Sequence, residues 1–186
     1  VYGEVRVEEG TSVAGGELEY VRLLPELRGY VPLGDVVAAA RGRLGAILGD
    51  LPVTQRLFAG GASSQRGFPE RQLAPTASRV VDGQTESAVY GGGALLELGV
   101  ELRRPLGRVW SLDLGGVLFL DGADVGERLG DLDAANLHWA AGVGLRIATL
   151  IGPVRLDVGY RLNRVGDGEL RPGERLAYHL SLGEAF

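Results

Sequence analysis

The stretch Leu96-Glu97-Leu98-Gly99-Val100-Glu101-Leu102-Arg103 places an apolar side chain at every second position, with charge or glycine between. Successive side chains of a β-strand point to opposite faces, so this period reads as a strand with one apolar and one polar face. The pattern recurs in both directions along the chain. Toward the C-terminus, Trp110, Leu112, Leu114, Leu118 and Leu120 oppose Ser111, Asp113 and Asp121. Leu137, Trp139, Val143, Leu145 and Ile147 then oppose His138 and Arg146. Val154, Leu156, Val158, Tyr160 and Leu162 oppose Arg155, Asp157 and Arg161, and Leu176, Tyr178, Leu180 and Leu182 oppose His179 and Ser181. Toward the N-terminus, Val36, Ala38, Ala40 and Leu44 oppose Arg41 and Arg43. Val21, Leu23, Leu27 and Val31 oppose Arg22, Glu26, Arg28 and Tyr30, and Val1, Gly3, Val5 and Val7 alternate with Tyr2, Glu4, Arg6 and Glu8. The expected fold is all-β, with about eight antiparallel strands. Pro25 removes a ladder donor inside one of them, which predicts a bulge there.

The connections have unequal lengths. Glu9 to Leu18, Gly49 to Val89, Gly122 to Asn136 and Asn163 to Glu174 are long, whereas Pro32 to Asp35, Pro105 to Arg108 and Thr149 to Pro153 are short. Long loops at one end and tight turns at the other describe an up-and-down meander of the kind that spans outer membranes. Alternation alone does not choose between a soluble barrel with its apolar face inside and a membrane barrel with that face outside. Three features favour the membrane: strands near the ~9–11 residues that cross a bilayer when tilted, the asymmetry of the loops, and an aromatic terminus at Phe186. The expectation is a transmembrane β-barrel in a bacterial outer membrane, with the lipid bilayer as partner of the apolar face.

The segment from about 49 to 89 shows no sustained periodicity, and structureless stretches of that length in compact domains are usually functional loops or linkers. Leu57, Phe58, Phe68 and Leu73 give this one something to bury, which disorder would not predict. Gly60, Gly61 and Gly67 permit backbone conformations closed to other residues, so a folded tip presenting Arg66 is expected.

Composition narrows the function. The 186 residues form one domain or part of a larger one, and the net charge of −5 argues against a general nucleic-acid binder. The chain opens at Val1 already in an alternating pattern and has no Met, which suggests a mature chain or an excised fragment. Cysteine is absent, excluding disulfides and thiolate metal sites. The 31 glycines exceed the usual ~7% and suit tight turns and crowded strands. Gly91-Gly92-Gly93 lacks the Lys-Ser/Thr pair of a phosphate loop, and His138 and His179 lack metal-ligand spacing. No enzyme, cofactor or metal is expected.

Residues 52 to 68, Pro-Val-Thr-Gln-Arg-Leu-Phe-Ala-Gly-Gly-Ala-Ser-Ser-Gln-Arg-Gly-Phe, resemble the sixth-loop signature of the bacterial surface antigen superfamily, the outer-membrane assembly factors. The likeness is closest to the translocation-and-assembly-module barrel, with Gln65 standing where the family usually has Val or Ile. Glu101 to Leu106 and Phe119-Leu120-Asp121-Gly122 resemble elements of the two strands after that loop, although the glycine falls one place early. Gly152 to Asn163 and Tyr178 to Phe186 resemble the family's last two strands. The resemblance implies the C-terminal half of a sixteen-stranded barrel, and insertion or translocation of unfolded outer-membrane or secreted client proteins by strand addition at the barrel seam. It implies a loop latch in which Arg66, Gly67 and Phe68, led by Gly60 and Gly61, bring the arginine to Glu101 and Asp121 in the lumen. By themselves Glu101 and Asp121 read as ordinary polar-face charges. It also implies an assembly signal at Tyr178, Leu180, Leu182, Gly183 and Phe186. Rival readings are a small outer-membrane pore, a two-partner secretion transporter, and a soluble eight-stranded ligand-binding barrel. An eight-stranded barrel has an interior just filled by side chains and could not also hold a forty-residue loop. Either a further half-barrel or a second copy completes the sheet, or the loop lies outside.

Overall fold

The computed structural model describes residues 1–11, 19–81, 84–135, 137–150, 152–163 and 175–183. Eight strands form one antiparallel sheet in the order β1 (Tyr2–Gly10), β2 (Tyr20–Leu33), β3 (Val36–Gly49), β6 (Ala94–Val109), β7 (Leu112–Gly126), β8 (His138–Ile147), β9 (Val154–Arg161) and β10 (Leu176–Leu182). The segment between β3 and β6 is not structureless. It carries a separate hairpin, β4 (Thr76–Val81) and β5 (Gln84–Val89), which periodicity missed because each strand has only six residues. β1 pairs with β2 alone and β10 with β9 alone, so among the described residues the sheet is open at both edges.

Polarity is inverted relative to a water-soluble domain. The outward row Leu102, Leu118, Val143, Val158 and Tyr178 runs straight across five strands, and Leu118 is 58% exposed. The opposite face buries Arg41, Glu97, Glu101, Asp121, Arg155, Asp157 and Arg161. Burying charges while exposing Leu and Val would be costly in water, and it suits a sheet whose outer face meets hydrocarbon.

The turns differ in detail from the sequence expectation. Pro25 causes no bulge: it pairs opposite Val5 in an unbroken register, and only two residue pairs drop out of the β2–β3 ladder beside it. The register shift lies instead between Pro105 and Gly107, where a missing donor is followed by a glycine at φ 118°. β6 therefore continues through the expected Pro105–Arg108 turn. The chain reverses at Trp110-Ser111, both at positive φ (49° and 75°), as the tightest hairpin turns require. β7 likewise runs on past Gly122 to Gly126.

The long loop folds back over the inner face. Antiparallel bridges Leu57 to Gly92 and Ala59 to Leu73 close its base. Leu57, Ala59, Phe68, Leu73 and Ala74 then pack against Leu95 of β6 and Ala123 and Val125 of β7. This apolar cluster joins loop to sheet.

Candidate functional site

The loop tip is a closed turn built on glycine. Gly60 and Gly61 adopt φ 101° and 108°, a region that a Cβ disfavours. The Gly60 N–H donates to Ser64 Oγ (3.0 Å), and the Gly61 N–H donates to the Phe68 carbonyl (3.0 Å). These bonds hold residues 62–67 as a knuckle directed at the inner face of β7, β8 and β9.

The sheet receives the knuckle through missing side chains. One inner row reads Glu101, Phe119, Gly142, Gly159 and Ala177 across β6 to β10. A Cβ on Gly159 would lie 2.6 Å from the Arg66 carbonyl carbon and 3.0 Å from the Gly67 nitrogen. A Cβ on Gly67 would in turn strike Ala140 and Arg161. Backbone therefore meets backbone where loop and strand cross. The Phe119 ring lies over Gly142 and forms the floor beneath the arginine.

Arg66 is 1% exposed. Its Nε and Nη2 donate to the two carboxylate oxygens of Asp121 at 2.7 and 2.8 Å, and its backbone N–H donates to Oδ2 at 3.1 Å. Its Nη1 donates to Glu101, and the guanidinium carbon stands 3.6 Å from the centre of the Phe119 ring. A planar fork on one carboxylate, capped by a second, matches the geometry that arginine supplies and lysine cannot. Burial alone would lower the pKa of this guanidinium. The hydrogen bonds and charges of Asp121 and Glu101 outweigh it and raise the pKa above its ordinary value.

The structure thus brings Arg66, Glu101 and Asp121 together, with Gly67 and Phe68 packed beside them and Gly60 and Gly61 at the turn. Gln65 is also buried. Its Nε2 donates to the His138 carbonyl (3.0 Å), and its Oε1 accepts the Gly67 N–H (2.8 Å). Of the C-terminal residues, Tyr178, Leu180 and Leu182 lie exposed on the outer face of β10, away from this site, and Gly183 follows at φ 96°. Phe186 lies outside the described residues.

Several participants were not singled out in the sequence. Arg155 Nη2 donates to the Ala62 carbonyl (2.6 Å) and pairs with Asp157 (2.9 Å), which also holds Arg146 (2.7 Å). Arg161 Nε donates to the Gly67 carbonyl (2.8 Å) and its guanidinium stacks on Phe68. His179 Nε2 lies 3.0 Å from the Arg66 carbonyl. Arg41 Nη1 donates to the Ser63 carbonyl (2.7 Å), and Glu97 gathers Arg41, Arg43 and Ser64. The available signal was the run of charges at alternate positions on one strand face, Arg155, Asp157 and Arg161 above all. No group of three or more His, Asp or Glu side chains that could hold a metal occurs among the described residues.

The chain as a whole resembles known proteins. A family model for the Omp85 superfamily domain matches residues 1–186. The outer membrane protein assembly factor BamA of Nitratidesulfovibrio vulgaris is 27% identical over 192 residues, covering 96% of this chain and 22% of that protein. A crystal structure of BamA from Haemophilus ducreyi lacking POTRA domains 1–3 superimposes with a TM-score of 0.71 and 23% identity, over 88% of this chain and 35% of that one. At that identity the structural likeness speaks for the fold. The chain spans about a fifth of the curated relative and about a third of the solved one.

Proposed function

The chain belongs to the Omp85 superfamily, and from that membership we propose that it forms membrane-embedded sheet of an outer-membrane protein assembly or translocation factor. The observation that carries this reading is the pairing of two features on one sheet. The apolar face points outward, and the charged inner face holds a long loop by Arg66 between Asp121 and Glu101. A soluble ligand-binding barrel would need the opposite polarity.

In this reading residues 1–186 are one domain, the C-terminal half of a sixteen-stranded barrel of the translocation-and-assembly type. The loop at about 49–89 is its lumenal latch. The open edges at β1 and β10 are completed by a further half-barrel or a second copy, and one of them is the seam. A sheet edge offers unpaired backbone N–H and C=O groups to any extended segment, so client strands of many sequences can add there without dedicated side chains. The loop's role is to hold the lumen in shape while that edge exchanges partners. The exposed stripe Tyr178, Leu180 and Leu182, with Gly183 and Phe186, serves as the signal by which the chain itself is assembled.

These 186 residues contain no cysteine, so a thiol introduced among them has no native competitor there. Single cysteines along β1 and, separately, along β10 would be combined with a cysteine in the last strand of a stalled client. Disulfide trapping at one edge in a fixed register is the expected result. Trapping confined to lumen-facing positions of β6 to β8 would refute strand addition.

A further inference from the structure

Among the described residues the outer face of the sheet carries one cation that the loop and its partners do not explain. Arg104 stands on the apolar side of β6, in the row Arg104, Gly116, Leu145, Leu156 and Leu180. Its side chain is exposed and makes no hydrogen bond or ion pair among the described residues. Only one further outward row, through Leu114, Ile147, Val154 and Leu182, separates it from the short turns. The level is marked by Trp110, 93% exposed at the tip of the adjoining turn, since tryptophan concentrates where hydrocarbon meets headgroups.

Beside Arg104 the wall is indented. Its cross-strand neighbour is Gly116, over which the Leu106 side chain folds, 3.1 Å from where a Cβ would stand, and Leu106 forms one wall of a groove of about 390 Å³ lined also by Leu102, Leu118 and Val143. Arginine near the end of a spanning strand can reach the interface along its own aliphatic stem. Reaching water would satisfy the charge but would leave the groove unused. A guanidinium next to an apolar channel matches a ligand with a phosphate at one end and a hydrocarbon chain at the other.

We propose that Arg104 and the groove walled by Leu106 bind an anionic phospholipid, with the phosphate on the guanidinium and an acyl chain along Leu102, Leu118 and Val143. The proposal rests on the outer face lying in lipid, and its test separates the two. Full-length protein in neutral detergent would be incubated with equimolar phosphatidylglycerol and phosphatidylcholine of identical chains, and retained lipid read by native mass spectrometry. Wild type should retain phosphatidylglycerol preferentially. Arg104→Gln should cut that retention on the order of tenfold, the loss of one charge-assisted contact, while Arg104→Lys keeps most of it. Gly116→Leu, whose Cβ meets Leu106, should reduce it by pressing that side chain into the groove without touching the charge. Arg108→Gln, which removes a cation paired with exposed Asp113 nearer the turn, should change nothing. Excess inorganic phosphate should not displace the lipid. Undiminished retention in Arg104→Gln, an equal loss in Arg108→Gln, or displacement by phosphate would each overturn the site. Retention of neither lipid by wild type would also overturn the site, whereas the lipid-facing assignment falls only if Leu118→Arg or Val143→Arg inserts normally into vesicles.

Discussion

Arg66→Ala removes one side chain from two buried carboxylates, and the structure predicts that they respond differently. Among the described residues every ion pair of Asp121 is with Arg66, whereas Glu101 also holds Arg103 at 2.7 Å and Arg146 at 3.9 Å. Truncation therefore strands Asp121 and leaves Glu101 partnered. Breaking a buried pair from one side costs about 3–5 kcal/mol, against roughly 0–1 kcal/mol for an exposed one. Most of the loss should fall at Asp121. A double-mutant cycle of Arg66→Ala with Asp121→Ala should accordingly show coupling above about 1.5 kcal/mol, within the range measured for close charge pairs. The cycle with Glu101→Ala should give less, because Arg103 and Arg146 compete for that carboxylate. Unfolding in urea from lipid vesicles supplies the energies, and limited proteolysis between residues 50 and 75 reports loop release. Coupling within error of zero in the Asp121 cycle, with proteolysis unchanged, would refute the latch. Equal coupling in the two cycles would refute the asymmetry drawn from the partner counts.

Gly159→Val should leave the strands intact but push the knuckle off β9, since the new Cβ meets the Arg66 carbonyl; accelerated loop proteolysis with unchanged strand circular dichroism checks it. Gln65→Leu, close in volume, leaves the Gly67 N–H without its side-chain acceptor, and stability should fall by about 1–3 kcal/mol in the same urea assay. Leu118→Arg or Val143→Arg on the outward row should cost roughly 2–4 kcal/mol near mid-bilayer and block insertion into vesicles. Normal insertion of either variant would invert the face assignment.

What could be read from the sequence follows from which interactions are local. Strand alternation is a two-residue property, so the antiparallel all-β class and the separation of Leu118 from Asp121 into opposite faces were visible without a structure. Arg66, Glu101 and Asp121 could be named because a glycine-rich loop and two acidic strand positions match a family signature. The pattern of partners could not. Arg161 reaches the Gly67 carbonyl across 94 positions of sequence, and Arg155 reaches Ala62 across 93. Nothing local distinguishes those arginines from Arg146 or Arg103. The turn at Trp110-Ser111 was misplaced for a related reason. Pro105 and Gly107 carry strong turn chemistry, yet the sheet absorbs them as a bulge and leaves the reversal to two residues that rarely adopt positive φ. The β4–β5 hairpin escaped because six-residue strands are too short to show a period.

The reach of the knuckle has a mechanical consequence. Its atoms are bonded to Arg41 on β3, Glu97 and Glu101 on β6, Asp121 on β7, the His138 carbonyl on β8, Arg155 and Arg161 on β9, and, within 3.0 Å, His179 on β10. Six ribs of the sheet are thus tied to one hub, and bending or shearing any neighbouring pair must stretch several short polar contacts together. Among the described residues β1 and β2 have no such tie, and β1 is held to β2 by its ladder, the Glu8–Arg22 ion pair and the Arg28 guanidinium over Tyr2. Compliance is therefore unevenly distributed: the braced ribs move as a stiff shell, while the first strand is a free flap along its margin. Amide protons of β1 should exchange well before those of β7 and β8, and whatever joins the sheet at that margin meets the part of the molecule that yields most easily.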